Sequence, residues 1–283
     1  MSRIDFHIHT SASDGTLSPG ELIYEIKENN IEIFAIADHD SIDSIEEASL
    51  LSLENSLRFM PAAEISSFYK NKVFHILAYG CDFNSKYIRE LLEYNQSIWT
   101  NIDIERVQWV SENDWRSNLK EFEKYTYDNA RGGWRSLNYM IDKGIVENMQ
   151  QYFNMYSDFV MDKTFSPLEE VLKAIKDADG VPFLAHPAYS KEKNEKYMSI
   201  NSLNDLLKCG IAGIECYNIY NQSKQEEKHY LAYAKEKDIY ISGGSDYHGE
   251  FIRERKLGVP YITTDMLGSD WYEKYIISNE YKL

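Results

Sequence analysis

The chain has 283 residues, enough for one sizeable α/β barrel or for a barrel carrying an insertion. Apolar residues make up 43% and the mean hydropathy is −0.51, a composition that gives a buried core under a hydrophilic surface. A net charge of −16 excludes a protein that coats DNA or RNA through a basic footprint, so no stable DNA binding is expected. A small phosphorylated substrate is compatible with that charge if bound cations supply positive charge locally. Met1-Ser2-Arg3-Ile4-Asp5 places charges where a secretory signal needs apolar residues, and no apolar run approaches the ~18 residues of a membrane span. Cys81, Cys209 and Cys216 form no CxxC pair. Free thiols in a reducing cytoplasm are therefore expected.

The first eighty residues alternate strand and helix patterns. Ile4–His9 reads as a strand, Ser18-Pro19-Gly20-Glu21 as a helix start, and Ile31–Ala37 as a strand buried on both faces. Ser41–Leu51 reads as a helix, and Arg58–Ile65 and Lys72–Tyr79 as two more strands. From about residue 84 to 166 the character changes. Four of the five tryptophans (Trp99, Trp109, Trp115 and Trp134) fall here among acidic and tyrosine residues, and β-branched runs become scarce. Short amphipathic helices are predicted over Leu119–Tyr125, Ser136–Lys143 and Val146–Met155. The α/β rhythm then returns: helix Pro167–Asp177, strand Val181–Ala185, a helix near Leu203–Cys209 and strand Ile211–Tyr217. Helix Lys224–Lys237 and strand Ile239–Ser242 complete it. Such alternation favours a parallel barrel or a doubly wound sheet interrupted once, with residues 1–83 and 167–283 as the barrel and 84–166 as a helical insertion.

Histidine placement carries the chemistry. Of seven histidines, His7, His9, His39, His75, His186 and His248 fall in or just after predicted strands. His7 and His9 are two apart on a strand, so both side chains leave the same face. Carboxylates recur at the same places: Asp14 after the first strand, Glu64 at the end of the third, and Asp246 two before His248. In α/β barrels chemistry gathers at the carboxyl ends of the strands. Imidazoles and carboxylates together suit Mn, Fe, Zn or Mg, and two or three such ions can activate water for hydrolysis. Taken singly, His75 reads as a core histidine, Asp14 as a turn residue and Glu64 as a surface acid. Six histidines at corresponding positions have no common packing explanation, and the metal reading is the better one. His229, among Glu226, Glu227 and Lys228, reads as solvated surface.

The segments Asp5-Phe6-His7-Ile8-His9-Thr10 with Ser13-Asp14-Gly15-Thr16, Ala37-Asp38-His39-Asp40, Ala185-His186-Pro187 and Gly244-Ser245-Asp246-Tyr247-His248 are ordered along the chain. Together with Pro61-Ala62-Ala63-Glu64-Ile65 and Phe74-His75-Ile76-Leu77, they resemble the motifs of the polymerase and histidinol phosphatase (PHP) superfamily. The resemblance implies a distorted (β/α)7 barrel with a cleft for two to three divalent ions. It implies that His7, His9, Glu64 and Asp246 hold one ion, that Glu64 bridges to a second held by His75 and His186, and that Asp14, His39 and His248 hold a third. Asp14, His39 and His248 would also be the catalytic group, with His248 or a metal assisting the leaving oxygen.

The position of the insertion is similar to that of small PHP phosphoesterases acting on nucleoside 3′,5′-bisphosphates or on the 5′ end of short RNA. Their Arg-x-His segment is replaced here by Arg131-Gly132-Gly133-Trp134-Arg135. Arg131 and Arg135 have two readings, a grip on a non-reacting phosphate or pairing within the cap, as of Arg131 with Asp128. Trp134 could stack on a base but reads better as cap core. Asn218, in Glu215-Cys216-Tyr217-Asn218, is implied to face substrate. Gly132-Gly133 and Gly243-Gly244 do not continue into phosphate-loop patterns. The expected function is a metal-dependent phosphoesterase that attacks a small phosphate ester with activated water and releases inorganic phosphate. A histidinol-phosphatase or protein-tyrosine-phosphatase activity, and a metal-stabilised binding module without turnover, are the alternatives.

Overall fold

A computed structural model of the chain describes residues 1–156, 164–191 and 195–277. The parts of the predicted insertion and barrel at 157–163, 192–194 and 278–283 lie outside the described residues. The chain opens with β1 (Arg3–Ile8), α1 (Pro19–Glu28), β2 (Ile33–Ile36), α2 (Ile45–Glu54), β3 (Arg58–Tyr69) and β4 (Lys72–Tyr79). The insertion contains α3 (Lys86–Ser111), α4 (Leu119–Phe122), α5 (Arg135–Asp142) and α6 (Met149–Met155). After it come α7 (Leu168–Asp177), β5 (Val181–Leu184), α8 (Ile200–Cys209), β6 (Gly213–Tyr217), α9 (Lys224–Lys237), β7 (Tyr240–Gly243) and β8 (Ile262–Thr263).

Local chemistry explains the regular elements. Ser18 and Glu21 form a reciprocal capping box at the start of α1, with Pro19 in the first turn, where its missing N–H costs nothing. Ser223 caps α9, whose bounds match the predicted range. Lys70 and Asn71 both have left-handed backbones, which a two-residue turn needs to fold β4 back antiparallel on β3.

The strands form one sheet in the order β7-β6-β5-β4-β3-β2-β1-β8. It departs from a purely parallel barrel at the β3–β4 and β4–β5 pairs and at β8, which adds antiparallel to β1. Bonds from Asp246 N–H to the His7 carbonyl (2.8 Å) and from His9 N–H to the Tyr247 carbonyl (2.9 Å) bring the chain after β7 against β1 and nearly close the barrel. Gly244 makes this approach feasible: a Cβ there would lie 2.3 Å from the His7 Cβ. An aromatic cluster of Phe6, Tyr79, Phe183 and Trp271 packs the barrel, and the Trp271 indole donates to the Ile241 carbonyl at 2.9 Å.

α3 was not anticipated. Its first turns place Ile88 and Leu92 in the barrel core, whereas Val107 and Val110 join the insertion's own core around Phe122, Tyr139 and Tyr152. One helix thus runs from the barrel into the insertion and ties the two together.

Candidate metal centre

Glu64, fully buried on β3, is the hub of the site. Its Oε2 lies 3.1 Å from His7 Nε2, 3.3 Å from His9 Nε2 and 3.2 Å from His39 Nδ1. Its Oε1 lies 3.0 Å from His75 Nδ1 and 2.8 Å from His186 Nε2. β1 supplies His7 and, one residue past its end, His9; the loop after β2 supplies His39, β4 supplies His75, and the turn after β5 supplies His186. Asp246 and His248 follow β7. Asp246 Oδ1 faces His9 Nε2 at 3.0 Å and His7 Nε2 at 3.5 Å. Asp14 Oδ1 lies 3.3 Å from His248 Nε2 and 3.6 Å from His9 Nδ1.

Among the described residues these contacts fall into three candidate ligand groups, in each of which the donor atoms lie within 4.8 Å of one another: His7, His9, Glu64 and Asp246; His9, Asp14, His39 and His248; and His39, Glu64 and His75. These groups hold eight of the nine residues singled out in the sequence, and the ninth, His186, joins them through its contact with Glu64. The grouping differs in detail from the one implied by resemblance. His39 stands between the second and third groups, His9 joins two groups, and His186 reaches the cluster through Glu64.

The donor chemistry fits divalent cations. Buried His7 Nε2, both nitrogens of His9, His39 Nδ1, Glu64 Oε2 and His186 Nδ1 have no hydrogen-bond partner among the described residues, although groups of this kind are normally satisfied when buried. Burial opposes ionisation of the carboxyls of Glu64 and Asp246, yet the facing imidazoles, and Arg255 beside Asp246, hold both well below their ordinary range. Burial likewise opposes protonation of His7, but Glu64, Glu215 and Asp246 outweigh it and raise its pKa; His9 is raised to about 10. The field that draws protons onto these imidazoles would equally draw metal cations. His39 behaves differently: burial lowers it to about 3, keeping the ring neutral as a ligand must be.

Supporting residues fix the ligands. Glu215, buried on β6, accepts from His7 Nδ1 at 3.0 Å and from the His186 backbone N–H at 2.7 Å. A carboxylate can only accept, so His7 carries its proton on Nδ1 and turns the lone pair of Nε2 into the cleft. The Asp246 carbonyl sets His248 the same way, accepting from Nδ1 at 2.7 Å and leaving Nε2 toward Asp14. Asp38 accepts from Thr10 N–H, Thr10 Oγ1, Ser13 Oγ and Ser44 Oγ, and so shapes the loop that presents Asp14. Arg255 donates to Asp246 Oδ2 at 2.7 Å and to the Tyr220 hydroxyl, which itself donates to the same Oδ2 at 2.9 Å. One oxygen of Asp246 is thus held from behind while the other faces the histidines. Asp40, His186 and Asp246 all have positive φ, a strained conformation for residues with side chains that recurs at functional sites. Sequence reasoning missed Arg255 and Tyr220, which lie in no motif, and the role of Glu215, whose segment was singled out only for Asn218, because only the fold brings them to the ligands.

The residues proposed for substrate binding are placed less simply. Arg131 pairs through both terminal nitrogens with Asp142, at 2.8 and 2.9 Å, rather than with Asp128, whose side chain caps the turn at Ala130. Arg135 donates to the carbonyls of Tyr125 and Phe122 and lies over the Phe122 ring, inside the insertion. Trp134 packs against Tyr152, Phe153 and Phe251. Asn218 is buried, donating to the Glu215 carbonyl and accepting from Tyr220 N–H. His229 is a correction: it is half-buried and stacked on Tyr197, with centroids 4.5 Å apart, because the turn before α8 folds over α9. The Gly132-Gly133 pair is a seam between insertion and site. Gly133 N–H donates to the Asp14 carbonyl at 2.8 Å, and both glycines have left-handed backbones against Phe251.

Comparison with known proteins shows a fold shared with PHP-like metal-dependent phosphoesterases and a sequence similar to enzymes that hydrolyse phosphoric esters. No family model matches the sequence. A crystal structure from Bifidobacterium adolescentis, described as a metal-dependent phosphoesterase, superposes with a TM-score of 0.75 at 24% identity, covering 94% of each chain. Among curated relatives, a 5′-3′ exoribonuclease of Haemophilus influenzae is 26% identical over 87% of this chain and 90% of its own length. A 3′,5′-nucleoside bisphosphate phosphatase of Chromobacterium violaceum is 24% identical over 88% of each chain. The relatives are hydrolases acting on phosphoric ester bonds. Among the described residues, no helix is long and apolar enough to cross a membrane.

Proposed function

We propose that this chain is a metal-dependent phosphoesterase that hydrolyses the phosphate ester of a small nucleotide or of the end of a short RNA, releasing inorganic phosphate in the cytoplasm. The observation that carries the reading is the convergence of five imidazoles on the two oxygens of buried Glu64. In this reading His7, His9, Glu64 and Asp246 hold one divalent ion, Glu64, His75 and His186 with the neighbouring His39 a second, and Asp14, His39 and His248 a third. Bound Mn, Fe, Zn or Mg supplies Lewis acidity, making water nucleophilic near neutral pH and offsetting the charge on the phosphoryl oxygens.

The chain's own residues do the rest. Glu215 and the Asp246 carbonyl hold His7 and His248 in the tautomers that turn Nε2 to the cleft. Arg255 and Tyr220 prevent Asp246 from rotating its second oxygen inward. With its Nδ1–H bound to the Asp246 carbonyl, His248 keeps Nε2 as a ligand beside Asp14, and an ion held there would assist the leaving oxygen. His7 and His9 are sealed from solvent, whereas His39 and His75 remain about one-fifth exposed, at 20% and 19%. The ester therefore enters over His39 and His75.

Residues 84–166 form the cap that selects substrates over this opening. Arg131, whose side chain is 36% exposed, is the cap arginine we retain as a contact for a second phosphate, since exchange of Asp142 for a phosphate leaves its fork satisfied. Arg135 and Asn218 act by holding the walls. Metal-reconstituted protein should hydrolyse a nucleoside 3′,5′-bisphosphate or a 5′-phosphorylated oligoribonucleotide, compared with histidinol phosphate, phosphotyrosine and nitrophenyl phosphate. Preference for either of the first two supports the reading. Preference for histidinol phosphate or phosphotyrosine would move the chain to another substrate, and no metal-dependent hydrolysis of any ester would defeat it.

A further inference from the structure

The opening over His39 and His75 is bordered by aromatic rings that the metal chemistry does not require. On one side the Trp99 ring lies 6.4 Å from His39, its indole N–H donating to Asp40 and its face against Phe165. On the other side the Tyr189 ring meets His186 edge-on at 5.5 Å and lies 5.1 Å from the Tyr220 ring. Tyr189 is 64% exposed, although it sits three residues beyond a buried ligand histidine. Its backbone is fixed by the bond from its N–H to the His186 carbonyl at 2.9 Å, and its ring packs on those of His186 and Tyr220. Tyr220, against which it rests, is locked by hydrogen bonds to Asp246 and Arg255.

We infer that Tyr189 is a stacking platform for the planar base of a nucleotide whose phosphate lies over His39 and His75. This rests on the proposed phosphoesterase reading and adds to it the part of the substrate that is recognised beyond the phosphate. Three features favour a base over a sugar or an alkyl chain. Tyr189 meets His186 edge-on and Tyr220 at a tilt, neither stacked on it, and stays 64% exposed, so a ring face is open to a ligand, and a base offers a matching π-face whatever its identity. The ring is pre-positioned, so little side-chain entropy is lost on binding. The acidic chain holds its cationic side chains near the opening in internal bonds, as Arg255 is to Asp246 and Lys191 to Glu226, so binding beyond the phosphate falls to aromatic surface.

The test measures binding of adenosine 5′-monophosphate and of ribose 5-phosphate to the metal-loaded protein by calorimetry, for the parent, Tyr189→Ala and Tyr189→Phe. Loss of a base–aromatic stack typically weakens binding roughly five- to a hundredfold. Tyr189→Ala should weaken the nucleotide by that factor relative to ribose 5-phosphate, and Tyr189→Phe should restore it. Equal weakening of both ligands, no weakening of the nucleotide, or a parent protein that binds both equally would overturn the platform. Turnover of nitrophenyl phosphate by the parent judges the phosphoesterase reading separately, because the binding comparison does not depend on hydrolysis.

Discussion

The indole of Trp99 donates to Asp40 Oδ2 at 2.9 Å, so the residue next to the candidate ligand His39 is bonded to the middle of the long helix α3. Asn95 of the same helix donates to Asp40 Oδ1 at 2.8 Å, and Gln96 to the Asp40 carbonyl at 3.0 Å. The cap is thereby anchored at the metal loop itself. Trp99→Phe keeps the ring but leaves a buried carboxylate oxygen without its donor. It should cost about 1–2 kcal/mol in urea unfolding. Asp40→Ala, which strands several donors at once, should cost more; an effect below 0.5 kcal/mol for both, roughly the noise level for surface changes, would mean that the anchor is not a stability element.

Glu215 should act on metal affinity through the tautomer of His7. Glu215→Gln preserves shape but can offer only one acceptor oxygen, whereas the carboxylate accepts from both His7 Nδ1 and His186 N–H. Metal affinity, read by competition with a chromophoric chelator, should fall about ten- to a hundredfold, as is usual when such a supporting contact is lost. Unchanged affinity would show that His7 is held by its packing alone.

Gly132 registers the cap against the loop of Asp14. Its φ is +68°, and an added Cβ would stand 2.6 Å from the Phe251 Cβ and 2.9 Å from the Asp14 carbonyl oxygen. Gly132→Ala should therefore destabilise the protein by about 1–3 kcal/mol, combining left-handed strain with overpacking. Thermal unfolding with and without added metal would also show a smaller metal-induced gain if Asp14 is displaced; a wild-type melting temperature would refute the seam.

The two cap arginines should separate. Arg135→Ala removes bonds to two backbone carbonyls and contact with the Phe122 ring, and should lower stability by about 2–3 kcal/mol. Arg131→Ala breaks an exposed pair worth at most about 1 kcal/mol, so its stability should change little. Its KM for a bisphosphate should rise roughly tenfold over that for nitrophenyl phosphate. Parallel changes on both substrates would return Arg131 to a purely structural role.

The barrel segments were legible because strands and ligands share short local patterns: two histidines in alternation at the end of β1, a Ser-Pro-Gly-Glu start on α1, and His or Asp shortly after a strand. α3 was not, since its ends carry no side-chain cap and weak helix formers such as Asn95, Asn101 and Asp103 interrupt its apolar stripe. β8, two residues long, pairs only because the fold delivers it to β1. Glu215, Tyr220 and Arg255 were invisible as site residues for a related reason. Their role depends on which atoms they face across the barrel, and separation along the chain carries no signal of that. His229 was misread because the stacking partner Tyr197 approaches from another loop.

The central claim is that the cluster around Glu64 binds the ions that carry the hydrolysis. Elemental analysis of the purified protein after reconstitution with manganese or zinc, beside Asp246→Ala prepared identically, tests it most directly. Two to three ions per chain are expected in the parent and at least one fewer in Asp246→Ala, with most ester hydrolysis lost. Less than one ion per chain in a folded parent, or equal metal content in the two proteins, would contradict the account.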